Sequence, residues 1–178
     1  QLAGATAVAA DSLTELSDEV RSRVKLVWLN SPGNPTGSVL GAAALKARVD
    51  EARAIGAVVA SDECYAELGW GEWENGVPSV LHPDVSGGDL TGLLAVYSLS
   101  KQSNLAGYRA SFVAGAPEIF GELVNSRKHA GMIVPAPVQS AMVAALGDHH
   151  HVAAQKDLYR ARREALLPAL QAAGFAVE

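Results

Sequence analysis

Cysteine, charge and long apolar runs are all scarce in this chain, and each scarcity excludes a class of protein. The single cysteine, Cys64, cannot form an internal disulfide, which fits a reducing compartment. A net charge of −5 without a basic patch argues against nucleic acid or an anionic membrane as the main partner. No apolar run approaches the ~20 residues of a membrane span, and the first residues lack the basic and apolar regions of a signal peptide. We therefore expect a soluble, cytoplasmic protein.

The hydrophobic pattern is typical of an α/β domain. The chain has 178 residues, 49% of them hydrophobic, which is enough for one domain with a sizeable core. Short continuous apolar runs predict buried strands at residues 24–29, 57–60, 93–97 and 110–114. Apolar residues at helical spacing predict helices over 42–55, 117–129, 136–146 and about 152–173. Apolar strands separated by a helical segment indicate a mainly parallel sheet covered by helices on both faces.

Polar clusters follow three of the predicted strands. Asn34 lies in a turn with sequence Asn-Pro-Thr-Gly, Asp62 ends the second apolar run, and Lys101 follows the third. Ligands of such sheets sit beyond the carboxyl ends of the strands. The sequence therefore predicts that these three residues share one site.

The segment 98–109 carries the most specific chemistry. Lys101 can form a Schiff base with a carbonyl cofactor, while Ser98, Ser100 and Arg109 can bind a phosphate from the same loop. A lysine after an apolar run is on its own usually a solvated strand end. Three clusters at three strand ends, 28 and 39 positions apart, make coincidence a poor explanation.

These segments together resemble the class I and II aminotransferases of fold type I, which depend on pyridoxal 5′-phosphate (PLP). The pattern Ser-x-Ser-Lys followed by Gly-x-Arg is matched by Ser98, Ser100, Lys101 and Arg109. The resemblance implies that Lys101 is the catalytic lysine that holds the cofactor aldehyde. It also implies that the two serines and the arginine bind the cofactor phosphate, the arginine as a bidentate fork.

The same resemblance assigns three further cofactor-binding residues. Asp62 matches the aspartate of Asp-x-x-Tyr, which keeps the pyridine nitrogen protonated. Tyr65 and Asn34 would both donate hydrogen bonds to the phenolic oxygen of the ring. The proline after Asn34 biases that residue to an extended backbone and helps to aim its amide.

The amino-acid sequence around Lys101 is most similar to that of the succinyldiaminopimelate transaminases of this family. The implied reaction is transamination between N-succinyl-LL-2,6-diaminopimelate and 2-oxoglutarate, in lysine and diaminopimelate biosynthesis. Family members are about twice this length, so residues 1–178 are expected to form the central part of the large domain, without its N-terminal part and the small C-terminal domain. Members are usually homodimers, and the apolar segment 131–135 could help to bury such a surface.

Three other functions stay open because substrate contacts lie outside these motifs. The same cofactor site would serve another class I/II aminotransferase or a carbon–sulfur β-lyase. A non-catalytic PLP-binding module would keep the cofactor and lack the arginine that binds the substrate carboxylate, which we do not assign to any residue here.

Other chemistry-bearing residues have simpler explanations. The three histidines 149–151 are expected to begin a solvated helix, because adjacent histidines point in different directions and no further ligand accompanies them, so no metal site is predicted. Cys64 is expected to pack as a small apolar residue rather than react. Trp70 and Trp73, on a glycine-rich loop, could line a substrate entrance or cap the core.

Overall fold

A four-stranded sheet forms the centre of the computed structural model, which describes residues 3–177. Its strands lie side by side in chain order: β1 (Leu26–Asn30), β2 (Val58–Asp62), β3 (Leu93–Ser98) and β4 (Ser111–Gly115). The first three strands are parallel and β4 is antiparallel to β3. The prediction of a mainly parallel sheet is therefore confirmed, with a short return of the chain after β3 that adds one antiparallel strand.

Within residues 3–177, seven α-helices accompany the sheet. They are α1 (Asp18–Arg21), α2 (Ala42–Ala54), α3 (Pro83–Ser86), α4 (Leu99–Gln102), α5 (Pro117–His129), α6 (Ala136–Leu146) and α7 (His149–Ala172). The predicted bounds of α5 and α6 are confirmed. α7 begins three residues before the apolar pattern, at the histidines expected to begin a solvated helix. The side chain of Asp148 accepts hydrogen bonds from the backbone N–H groups of His150 and His151, which caps the helix.

Helices cover both faces of the sheet, as the sequence predicts. On one face, Leu45, Val49 and Ala52 of α2 are fully buried against a core that includes Val59 and Leu93. Burying each such leucine or valine stabilises the fold by roughly 1.5–3 kcal/mol. On the other face a smaller cluster forms where α5 covers the middle strands; it comprises Ala60, Leu94 and Ala116 with Ile119, Phe120 and Leu123 packed against them.

The second face is left open beside β1. The side chains of Leu26 and Trp28 are 54% and 57% exposed there. Asn30 and Asp62 are register partners at the carboxyl ends of β1 and β2. The open face therefore ends in a row of polar residues.

None of the helices within residues 3–177 combines the length and the apolar character that crossing a bilayer requires.

Candidate active site

A cleft of about 490 Å³ opens at the carboxyl ends of β1 and β2. Its lining consists of Trp28, Asn30, Asn34, Asp62, Cys64, Tyr65 and Lys101. Four of the seven residues predicted from sequence therefore meet in one place: Asn34, Asp62, Tyr65 and Lys101. Lys101 is the one cation and Asp62 the one carboxylate among the lining residues.

The turn after β1 brings Asn34 to the cleft. The backbone N–H of Asn34 donates to the side-chain oxygen of Asn30 (2.6 Å), and the N–H of Gly37 donates to the carbonyl of Gly33 (2.7 Å). A Cβ at Gly33 would lie 3.0 Å from the hydroxyl of Thr36, so the tight turn favours glycine. These two bonds fix the backbone of the turn, and so the position from which the Asn34 side chain reaches the cleft.

The end of β2 brings three neighbouring residues into the cleft. The carboxylate of Asp62 accepts a hydrogen bond from the backbone N–H of Cys64 (3.1 Å), which bends the chain at the end of the strand. Tyr65 then faces the lysine: Nζ of Lys101 lies 5.5 Å from the centre of the Tyr65 ring, within the range of a cation–π contact. A phenol, an amine and a carboxylate are thus neighbours.

The thiol of Cys64 is protonated in this environment. Burial, followed by the hydrogen bond to and the charge of Asp62, raises the pKa of Cys64 to about 12. The thiolate is the reactive form of cysteine, so the lining thiol is inert near neutral pH. This agrees with the packing role predicted from sequence.

The predicted phosphate ligands do not line the cleft. The hydroxyl of Ser98 donates to the carbonyl of Ala110 (3.2 Å) and lies 2.7 Å from that of Ser100. Arg109 is exposed, has a left-handed backbone (φ 51°), and donates from its guanidinium to the carbonyl of Ala106 (3.0 Å). The phosphate role of these three residues stays a prediction.

Sequence reasoning missed three residues at this end of the sheet. Trp28 and Asn30 line the cleft, and the signal was available, because alternation places them on the same face as Asp62. Glu63 is buried on the opposite side, where its carboxylate accepts a hydrogen bond from the N–H of Val80 (2.9 Å). Burial raises the pKa of Glu63. No local pattern in the sequence predicts a buried carboxylate at this position.

The two tryptophans of the following loop lie away from the cleft lining. The Trp70 ring packs against three cations of α7, Lys156, Arg160 and Arg163, at 5.4, 5.2 and 4.9 Å from the ring centre. Glu74 accepts from Arg160 (2.7 Å) and so fixes the same loop on the helix. Trp73 instead lies beside Gly41 at the start of α2.

The chemistry of the lining fits an aromatic aldehyde that contains a ring nitrogen and a ring hydroxyl. Lys101 supplies an amine for the aldehyde, and Asp62 a carboxylate for a protonated ring nitrogen. Tyr65 and Asn34 supply neutral donors for the ring oxygen. The open face beside Trp28 leaves room for a flat ring.

The comparisons with known proteins point to one family. The model of the family "Aminotransferase class I and II" matches residues 5–178. A probable aminotransferase of Mycobacterium tuberculosis is 57% identical over the whole chain, which covers 41% of that protein. The 4-dedimethylamino-4-oxo-anhydrotetracycline transaminase OxyQ of Streptomyces rimosus is 53% identical over the whole chain, which covers 48% of it.

A solved structure extends the comparison to the fold. The N-succinyldiaminopimelate aminotransferase of Mycobacterium tuberculosis superposes with a TM-score of 0.78 and 27% identity, over 97% of this chain and 45% of that one. The chain thus spans less than half the length of the proteins it matches.

Proposed function

Because the chain belongs to the class I and II aminotransferases, whose cofactor is pyridoxal 5′-phosphate, we propose that its cleft binds PLP and that the intact protein catalyses transamination. The observation that carries the proposal is the meeting of Lys101, Asp62, Tyr65 and Asn34 in one cleft. These are the amine, carboxylate, phenol and amide that the family resemblance assigns to the cofactor. They come from three separate segments of the chain.

Each side chain has a defined task in this proposal. Lys101 would hold the cofactor aldehyde through its amine, and as a free amine it would act as the general base that moves a proton from the substrate α-carbon to the aldehyde carbon of the cofactor. Asp62 holds a proton at the ring nitrogen, and Tyr65 and Asn34 donate to the ring oxygen. When bound, the cofactor supplies an electron-withdrawing ring that stabilises the negative charge left by the departing α-proton.

The phosphate would be bound by Ser98, Ser100 and Arg109. This requires Ser98 and Arg109 to exchange their hydrogen bonds with backbone carbonyls for bonds to a phosphate. For the neutral Ser98 hydroxyl a dianion is the stronger acceptor, because charge-assisted hydrogen bonds are about twice as strong as neutral ones. For Arg109 the exchange replaces a bond to a neutral carbonyl by a pair of opposite charges.

For the substrates we propose N-succinyl-LL-2,6-diaminopimelate and 2-oxoglutarate. This proposal is supported by the amino-acid sequence of segment 98–109 and by the structural similarity to the N-succinyldiaminopimelate aminotransferase of Mycobacterium tuberculosis. A different amino substrate is the second candidate, because the OxyQ relative is more similar in sequence, at 53% identity.

We also propose that the intact protein is a cytoplasmic homodimer. In segment 131–135, Met132 and Ile133 are 53% and 65% exposed, an apolar surface that a second copy could cover. The single cysteine is compatible with a reducing compartment. Light scattering on the purified protein would give twice the chain mass for a dimer and the chain mass for a monomer.

The cofactor proposal is tested by trapping the lysine. The intact protein is mixed with PLP, reduced with borohydride and digested, and the modified lysine is identified by mass spectrometry. We compare wild type with Lys101→Arg, which keeps the charge, and with Lys128→Arg in α5 as a matched control. Wild type and the control should carry the adduct on Lys101. An adduct of equal yield in Lys101→Arg would refute the assignment.

The substrate proposal is tested separately by kcat/KM. N-succinyl-LL-2,6-diaminopimelate should be preferred over other amino donors with 2-oxoglutarate as acceptor. Preference for another donor would favour the second candidate. Release of ammonia and a keto acid without any acceptor would identify a β-lyase.

A further inference from the structure

A continuous chain of hydrogen bonds runs from the end of β3 past α4 to the start of α7. The hydroxyl of Tyr97 donates to the side-chain oxygen of Gln102, whose amide nitrogen donates to the hydroxyl of Ser103 (3.3 Å). Ser103 Oγ lies 2.8 Å from Nε2 of His151, and Nδ1 of that histidine lies 3.2 Å from the carboxylate of Asp148. We refer to these five side chains as the relay.

Each member of the relay can donate a hydrogen bond to the next, from Tyr97 at one end to Asp148 at the other. If the proton of neutral His151 sits on Nδ1, it is donated to Asp148, and Nε2 accepts the proton of Ser103; this tautomer is assigned from the partners. Ser103 is then free to accept from Gln102. Burial, followed by the charge of Glu67, raises the pKa of Tyr97, so its hydroxyl keeps the proton it donates. Such a chain of bonds is mutually strengthening.

The last three members have the connectivity of a hydrolase triad, but the site lacks the donors that a hydrolase needs. Backbone N–H groups near Ser103 are already used: those of Ser103 and Leu105 both donate to the carbonyl of Leu99. The side-chain amide of Asn104 donates to Gln155 (2.7 Å). With no free donor pair described beside Ser103, a tetrahedral oxyanion would have no stabilisation there. The relay is therefore structural in its action.

The relay lies on both sides of Lys101 in the sequence. α4 is a single turn of four residues with Lys101 in it, and too short to be stable by itself. Gln102, the residue after Lys101, is only 5% exposed and joins Tyr97 to Ser103 in the relay. What holds the lysine turn on the far side is α7, a helix of 24 residues.

A second contact of α7 strengthens this hold. One and two helical turns after His151, Gln155 and Tyr159 contact Asn104 at 2.7 and 3.3 Å. Asn104 has a left-handed backbone (φ 52°), a conformation that asparagine tolerates and that such contacts can fix. The two residues directly after the lysine turn are thus both bound by the same face of α7.

We propose that His151 is a positioning residue for Lys101: by accepting from Ser103, it keeps the relay intact and fixes the turn that carries the lysine. The inference rests on the proposed function of Lys101. It assigns to α7 a role in the cofactor site although no residue of α7 lines the cleft.

Two substitutions of His151 separate the role of Nε2, which accepts from Ser103, from that of Nδ1, which donates to Asp148. His151→Gln places an amide near the position of Nε2 and keeps an acceptor for Ser103. His151→Asn places its amide near Nδ1, so it keeps the contact with Asp148 and loses Ser103. Ser103→Ala breaks the same bond from the other side. His150→Asn is the matched control, because that side chain is exposed and makes no described hydrogen bond.

The first readout does not need the cofactor. In the intact, cofactor-free protein, amide hydrogen exchange over residues 98–104 should accelerate about fivefold in His151→Asn and Ser103→Ala, the size of one lost hydrogen bond. His151→Gln and His150→Asn should match wild type. Equal protection in all five proteins would overturn the relay, whether or not the protein binds PLP.

The second readout tests the link to the lysine. His151→Asn and Ser103→Ala should lower kcat about tenfold with KM within twofold, because a displaced lysine slows proton transfer more than it weakens substrate binding. His151→Gln should restore kcat. Faster exchange with unchanged kcat would refute the positioning role. Absence of PLP binding in wild type would instead refute the proposed function and leave the exchange result to stand.

Discussion

Cys64 provides a direct measure of the charge on Asp62. The carboxylate of Asp62 accepts from the backbone of Cys64 and, after burial, is the next cause that raises its thiol pKa to about 12. Asp62→Asn removes the charge and leaves an oxygen that can still accept from the same N–H. Removing a neighbouring like charge lowers a pKa by about one unit, which corresponds to 1.36 kcal/mol. The thiolate fraction near pH 8 should then rise about tenfold, because both pKa values lie far above that pH.

The measured rate changes by less than the thiolate fraction. A less basic thiolate is a weaker nucleophile, by roughly threefold per pKa unit, so the net gain in alkylation rate is about threefold. The assay is iodoacetamide alkylation of the single cysteine in the native protein at pH 8–9, followed by mass spectrometry. Asp84→Asn, at a well exposed carboxylate, is the control and should leave the rate unchanged. A rate in Asp62→Asn equal to or below that of wild type would refute the electrostatic coupling.

Three predictions concern stability. Leu45→Ala, in the fully buried core, should lower the free energy of unfolding in urea by about 2–5 kcal/mol, whereas Leu166→Ala at an exposed position of α7 should change it by under about 0.5 kcal/mol. Gly115→Ala should lower the melting temperature, because φ is 126° and the new Cβ would overlap the carbonyl oxygen of Leu93. Gly121→Ala in α5 is the matched control: its new Cβ would meet no other atom, and the free energy of unfolding should rise by about 0.5–1 kcal/mol. Burial raises the pKa of Glu63, so wild-type stability is fully present below the ordinary pKa of 4.5 and falls as pH rises through the raised value. Glu63→Gln should therefore melt higher than wild type at pH 7, with the difference vanishing toward pH 4.5; equal melting curves at both pH values would contradict this.

The part of the site that could be predicted is the part that strand ends determine. Asn34, Asp62 and Lys101 each lie at or just after the end of a strand, and parallel strands bring their carboxyl ends to one edge. Side-chain direction in loops has no such rule. Arg109 follows the same lysine, but its left-handed backbone and its bond to the carbonyl of Ala106 turn it toward its own loop. The relay was out of reach because it joins Gln102 to His151, 49 positions away in the sequence.

The fold was predictable where periodicity was strong. The bounds of α5 and α6 follow from proline at or near each start and from glycine shortly after each end. The antiparallel direction of β4 was not predicted, because an apolar run of five residues carries no sign of direction. The apolar period of α7 begins only near residue 152, whereas the histidines 149–151, expected at a solvated helix start, form its first turn because of the cap at Asp148.

Taken alone, residues 3–177 leave a strip along β1 uncovered, so concentration becomes a variable in measurements on a protein of these residues. Among the described residues β1 pairs only with β2, so its other edge presents backbone donors and acceptors beside the exposed side chains of Leu26 and Trp28. Such an edge is a template for another strand, and apolar side chains next to it favour stacking. Colloidal behaviour and cofactor chemistry are therefore linked through one surface, because Trp28 lies on the strip and also lines the cleft. An absorption spectrum of the cofactor taken at high protein concentration would reflect both self-association and cofactor binding, and a dilution series separates the two.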